Sequence, residues 1–200
     1  MTHPVERATR LSTTTRTEVQ RAIDRAAAAR PIPGNRVALL QDGPEAYAAM
    51  LALIAGARRF IHFENYIFRA DPTGWRFAEA LAERARAGIA VRVLYDWLGC
   101  VGTRRKYWRF LRAAGCEVRC FNSPQLFRPL RLLARDHRKL VVTDCGQAVV
   151  GGLCIGDEWA GDPAKGIPPW RDTAVLIEGP ASQALDLAFQ KVWAGRALLR

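Results

Sequence analysis

FIHFENYIFRADPTGWRFAEALAERARAGIAVRVLY, residues 60–95, changes its periodicity twice. Residues 60–68 are aromatic and β-branched, the composition of a strand. Phe77, Leu81 and Ala85 then recur at the four-residue spacing of one helical face until Gly88 ends the run. Residues 89–95 predict a second strand. Strand, amphipathic helix and strand in that order make a right-handed βαβ unit with parallel strands.

Outward from this unit the alternation continues. Residues 37–40 predict a strand, and Asp42-Gly43-Pro44 opens a helix, proline near its first position, that runs to about Ala57. Thr103 is placed to cap a basic helix ending at Gly115, ahead of a strand over residues 116–121. Residues 136–143 and 148–153 are apolar runs joined by Asp144-Cys145-Gly146-Gln147, a hairpin composition. A last strand over residues 172–178 leads through Gly179-Pro180 into a helix carrying Leu185, Phe189 and Trp193. The expected fold is α/β, a single lobe with a mixed, mostly parallel sheet flanked by helices. Residues 1–35, closed by Pro31, Pro33 and Gly34, read as an N-terminal extension, helical over residues 17–29, ahead of a domain over residues 36–200.

The composition is that of a globular chain, half apolar and a quarter charged, and it excludes a fibre or a disordered tail. The longest uncharged apolar stretch, residues 46–57, is shorter than the roughly 20 residues of a membrane span, so membrane contact is expected to be peripheral. Net charge is +11, of which +9 falls between Thr103 and Lys139. Such a segment suits nucleic acid, lipid headgroups or phosphorylated substrates, and equally a solvated basic face. Tyr107, Trp108, Phe110, Phe121 and Phe127 interleave with it, as a lipid interface, a single-stranded nucleic-acid platform or ordinary core packing would require. Five cysteines without a C-x-x-C pair point to reduced thiols and a cytoplasmic setting; Cys116 and Cys120 lack the second pair a zinc site needs. Glycine-rich nucleotide loops are absent from the sequence, so no nucleotide cofactor is expected.

His137, Lys139 and Asp144 carry the chemistry, with Gly151-Gly152 following. Side chains two apart on a strand share a face about 6.6 Å apart, so an imidazole and an ammonium can reach one phosphate. Histidine attacks phosphorus near neutral pH, and lysine offers a compact positive charge to the phosphate oxygens. Asp144 is an odd number of residues from His137 and reads as a hairpin and packing residue more than a direct catalyst. Gly151 and Gly152 leave room for backbone to approach a bound anion. His62 and Glu64 share parity and either line the same cleft or, for His62, form a buried, hydrogen-bonded strand histidine. Asp96, at the C-terminal end of a strand, stands either where α/β sheets place ligands or as a helix cap.

The run His137-Arg138-Lys139-Leu140-Val141-Val142-Thr143-Asp144, with Gly151-Gly152-Leu153-Cys154-Ile155-Gly156-Asp157-Glu158-Trp159, resembles the HKD motif of the phospholipase D superfamily in its bacterial cardiolipin synthase form. Glu64-Asn65-Tyr66-Ile67-Phe68, Tyr95-Asp96 with Gly99, and Trp170-Arg171-Asp172-Thr173 resemble that group's N-terminal lobe. The resemblance implies a phospholipase D-like sandwich and a metal-independent phosphatidyl transfer between phosphatidylglycerol molecules through a phosphohistidine. It makes His137 nucleophile or general acid, Lys139 a phosphate clamp, Asp144 a member of the catalytic set and Asp172 the carboxylate that orients the imidazole. Gly151, Gly152, Cys154 and Glu64 are the substrate-binding candidates. The family's usual Asn stands replaced by Cys154, a weak donor. No other histidine begins a His-x-Lys, so a second motif must come from a homodimer mate or from a further lobe. The implied location is cytoplasmic, peripheral to the inner membrane. The other expectations are a homodimeric nuclease and a non-catalytic binder of anionic lipid or nucleic acid.

Overall fold

The computed structural model describes residues 13–27, 31–123 and 134–195. The chain divides into two compact units, Met1–Pro33 and Gly34–Arg200. In the first, helix α1 spans Thr13–Ala27, starting earlier than the sequence suggested. The second is built on strands β1 (Arg36–Gln41), β2 (Phe60–Asn65), β3 (Ala90–Asp96), β4 (Glu117–Phe121), β5 (Leu140–Thr143), β6 (Gln147–Gly151) and β7 (Thr173–Glu178). Its helices are α2 (Asp42–Gly56), α3 (Pro72–Arg86), α4 (Arg105–Ala113), the single turn α5 (Asp157–Ala160) and α6 (Ala181–Trp193).

The strands form one sheet in the order β1-β7-β6-β5-β2-β3-β4. The mixed sheet with flanking helices is as expected, but its strand directions are mostly antiparallel. Only β2 with β3 and β3 with β4 run parallel; the other four pairings are antiparallel. Parallel pairing needs a long crossover to carry the chain back to the start of the sheet. Helices α3 and α4 supply it on one half, whereas β5 and β6 are joined by a tight turn with Gly146 at φ +70°.

Pro72 at the first turn and Asp71, whose carboxylate accepts the Gly74 amide at 2.8 Å, start α3. Thr103 does not cap α4. Arg104 occupies that position without a side-chain bond, and the Thr103 hydroxyl donates to the Phe68 carbonyl. β2 stops at Asn65, three residues short of the predicted end. There the Asn65 side chain accepts the Ile67 amide and donates to the Leu153 carbonyl, turning the chain out of the sheet.

Strand alternation sends Ile61 and Phe63 into the larger core, with residues such as Met50, Ile54, Phe77, Leu81, Tyr107 and Leu111 from α2, α3 and α4. The other face holds a smaller core of Leu94, Leu140, Val142 and Ala148 under Phe189 and Trp193 of α6. His62 belongs to this second face. Its ring stacks between Phe60 and Phe189, with centroids 4.7 and 4.5 Å away, and its Nδ1 lies 2.6 Å from Asp186 Oδ1. Buried between two rings and bonded to Asp186, it is the structural histidine of the two readings, and burial lowers its pKa in spite of Asp186.

Asp144 follows the C-terminal end of β5 while His137 precedes its start, a separation of about 20 Å along the strand direction. It is therefore not part of the catalytic set. Its Oδ1 accepts the amides of Arg58 and Arg59, at 3.0 and 3.1 Å, and of Phe60 at 3.4 Å, closing the α2–β2 connection. Burial acts to raise its pKa, but those amides prevail and hold it below the usual value of 3.8. Its stabilisation is thus present above that value and fades as pH falls through the lower folded pKa. Asp144→Ala leaves three donors without their acceptor and is expected to cost about 1–3 kcal/mol in urea denaturation near neutral pH. Asp144→Asn, which keeps a carbonyl acceptor, should recover most of the loss.

Candidate active site

The candidate site forms where the two halves of the sheet meet, at the C-terminal end of β2 and the approach to β5. His137 is exposed, and its ring packs against Tyr66 with centroids 4.6 Å apart. Lys139 is 4 % exposed. Its Nζ donates to the His137 carbonyl at 2.6 Å and stands 5.2 Å from the Tyr66 ring centroid. One aromatic ring thus touches both members of the motif. Burial lowers the Lys139 pKa, opposed by nearby groups that include Asp172 and Asp136. Tyr66 was part of the resemblance but had no assigned role; its position just past the end of β2 was the available signal.

Asp172 closes the far wall. Its Oδ2 accepts from Trp159 Nε1 at 3.3 Å and its Oδ1 from the Thr173 amide at 2.7 Å. The resemblance expected Asp172 to orient the His137 imidazole, whereas its hydrogen bonds here are to Trp159 and Thr173. Asp42, at a left-handed φ of 58°, anchors the segment: its backbone amide donates to the Asp172 carbonyl, and its Oδ1 accepts the Asp172 amide and Arg171 Nη1. A non-glycine residue in that conformation is strained, and here the strain accompanies a carboxylate that positions another. Asp-Gly-Pro in the sequence signalled only a helix start.

Gly151 and Gly152 lie against β7 and the residue that precedes it. A Cβ at Gly151 would lie 2.6 Å from the Ala174 Cα, and one at Gly152 would lie 2.2 Å from Asp172 Oδ1. The double glycine lets β7 and its Asp172 close against β6. The Cys154 carbonyl accepts the Tyr47 hydroxyl at 2.5 Å, and burial pushes its thiol up, so it stands as a neutral, weak donor.

Glu64 is 1 % exposed and does not line a substrate surface. It faces α6, and its Oε1 accepts Arg138 Nη2 and Nε at 2.6 and 2.9 Å. Arg138 Nε also contacts Asp136 Oδ1 at 3.3 Å. The Asp136 amide in turn donates to Asp96 Oδ2 at 3.0 Å. Asp96 Oδ1 accepts Arg135 Nη1 and the Leu98 amide, at 3.1 and 2.8 Å. Asp96 therefore ties the turn after β3 to the residues entering the motif, neither capping a helix nor facing a ligand. Beside these groups, Arg135, His137, Phe121 and Val192 contribute to an open cavity of about 430 Å³. Of the interleaved aromatics, Tyr107 and Trp108 are buried in the core, Phe110 and Phe121 pack partly against it, and Phe127 lies outside the described residues.

Burial first, and then the adjoining Asp136 carboxyl, pushes Glu64 up to about 9 against the pull of Arg138. Between the ordinary 4.5 and that raised value the unfolded chain ionises Glu64 and the folded one does not, so stability falls as pH rises. Glu64→Gln, neutral at every pH, should flatten that slope in urea midpoints measured from acid to alkaline pH. An unchanged slope would count against a protonated Glu64.

Residues 50–158 match a family model described as the phospholipase D-like domain of cardiolipin synthase. The chain is 40% identical over 162 residues to the major cardiolipin synthase ClsA of Bacillus subtilis, a match covering 80% of this chain and 33% of that protein. It is also 40% identical over 160 residues to the cardiolipin synthase of Geobacillus kaustophilus, covering 80% and 32%. It thus spans about a third of the length of the curated relatives it matches. Among solved structures, Nuc from Salmonella typhimurium, a phospholipase D family member, shares the fold with a TM-score of 0.60 at 18% identity, over 80% of this chain and 95% of that one. With the His-x-Lys pair at the seam of a mixed sheet and more than half of its residues within the family model, the chain belongs to the cardiolipin synthase-type phospholipase D-like family.

Proposed function

We propose that this domain supplies one half of a phosphatidyl-transfer site. The observation that carries the reading is the exposed His137 imidazole beside a buried Lys139 ammonium whose hydrogen bond is to the His137 backbone. A cation held this way is oriented before substrate arrives, and it can turn to the non-bridging oxygens of a phosphodiester. In the proposed reaction a His137 ring nitrogen attacks the phosphorus of phosphatidylglycerol, and the bond to the glycerol oxygen breaks. A second histidine, from a homodimer mate or a further lobe, protonates the departing alcohol. The hydroxyl of another phosphatidylglycerol then attacks the phosphohistidine, restoring His137 and giving cardiolipin. Asp172 offsets the positive charge gathered at Lys139, and Cys154 replaces an amide donor with a weaker one. The setting we infer is peripheral, at the cytoplasmic face of the inner membrane; no helix among the described residues is long and apolar enough to cross a membrane.

A second reading, a homodimeric phosphodiesterase acting on nucleic acid, is favoured by the basic run between Thr103 and Lys139, which carries +9 of the net charge of +11 beside a single His-x-Lys. Incubation with phosphatidylglycerol micelles, followed by mass spectrometry of the lipids, separates the two. Cardiolipin and glycerol should form, and His137→Ala should reduce turnover by about 10³-fold or more. Cleavage of single-stranded DNA without lipid turnover would favour the second reading. Turnover of neither would overturn the homodimer mate as the source of the second histidine.

A further inference from the structure

The turn between β3 and α4 leaves two large aliphatic side chains in solvent, Leu98 at 48 % and Val101 at 68 % exposure. Directly after it come Arg104, Arg105, Lys106 and Arg109, all exposed, and none forms an ion pair among the described residues. In α4 the side chains of Tyr107, Trp108 and Leu111 are buried, which turns Arg105 and Arg109 together to the outer face. An aliphatic tip followed by a basic helical face is the composition of an interfacial lipid contact. The same turn adjoins the motif. A Cβ at Gly99 would lie 2.1 Å from the Tyr66 carbonyl oxygen, and Cys100 Sγ donates to that oxygen at 3.5 Å. The Tyr66 ring is the one packed on His137. A surface bound here is separated from His137 by a single residue.

We infer that residues 98–109 are the face by which the domain docks on a bilayer of anionic phospholipid. Leu98 and Val101 enter the boundary between headgroups and acyl chains, while Arg104, Arg105, Lys106 and Arg109 meet the phosphates. The docked membrane then presents its phosphodiesters beside His137. Single-stranded nucleic acid fits this face less well: Tyr107 and Trp108 are packed in the core, and none of the fully exposed side chains of residues 98–109 is a ring on which a base can stack. The choice of phosphatidylglycerol as the lipid rests on the proposed reaction, but docking does not require turnover.

The test is co-sedimentation of the full chain with vesicles of phosphatidylglycerol and phosphatidylcholine in roughly equal amounts, against vesicles of phosphatidylcholine alone. Binding should require the anionic lipid. At about a fivefold contribution for each cation near the surface, R105Q/R109Q should lower partitioning about 30-fold. L98S/V101S, which leaves the charge intact, should lower it about tenfold or more. R58Q/R59Q removes the same charge from exposed residues at the opposite end of β2 and should leave binding within about twofold. Equal losses from R58Q/R59Q and R105Q/R109Q would overturn the proposal, since net charge alone would then explain binding. So would indifference to L98S/V101S, or loss of single-stranded DNA binding in R105Q/R109Q with vesicle binding unchanged. All variants are at exposed positions, and unchanged urea midpoints would establish that they fold. Failure of the reaction would appear as absent turnover with these binding differences intact.

Discussion

A buried carboxylate at the end of β3 holds this site together. Asp96 is fully buried, and it accepts hydrogen bonds from the turn that follows its own strand and from Arg135 and the Asp136 amide, some forty residues later. Removing a charge from water is costly unless its hydrogen-bonding capacity is filled, and here it is filled by the two segments that have to meet. The approach to His137 is fixed by this bond and by the neighbouring Arg138–Glu64 pair, before either motif side chain contributes.

The seam between the parallel and antiparallel halves explains why the motif sits where it does. β2 pairs with β3 on one side in parallel and with β5 on the other in antiparallel sense. The C-terminal end of β2 therefore lies beside the N-terminal end of β5, and Tyr66 meets His137 and Lys139 across that junction. Strand ends at a change of direction are where open sheets leave room for ligands. β6 and β7 then bring Asp172 to the same place. The close approach is possible only because Gly151 and Gly152 have no side chains.

Charge in this chain is concentrated more than it is neutralised. Two groups of cations stand out among the described residues near the motif, and the sequence run from Thr103 to Lys139 does not distinguish them. Arg135 and Arg138 are committed to buried acidic side chains, whereas Arg104, Arg105, Lys106 and Arg109 face solvent. The first group holds the site, and the second is available to a partner outside the protein.

Local order was legible in the sequence because it depends on near neighbours. Periodicity and breakers gave the βαβ unit, the hairpin and the final helix, and the odd separation of Asp144 gave its structural role; His137 and Lys139, expected on one face of a strand, precede β5, which begins at Leu140, and meet on the Tyr66 ring instead. Tertiary structure decided what depends on distant partners. Strand direction follows from which strands become neighbours, so the mostly antiparallel sheet could not be read from residues 60–95. The meaning of Gly151 and Gly152 follows from β7, the burial of Glu64 from α6 and Arg138, and the strain at Asp42 from Asp172. Sequence spacing sets where a side chain points along its own strand, but contact with a segment forty or a hundred residues away exists only after the chain has closed.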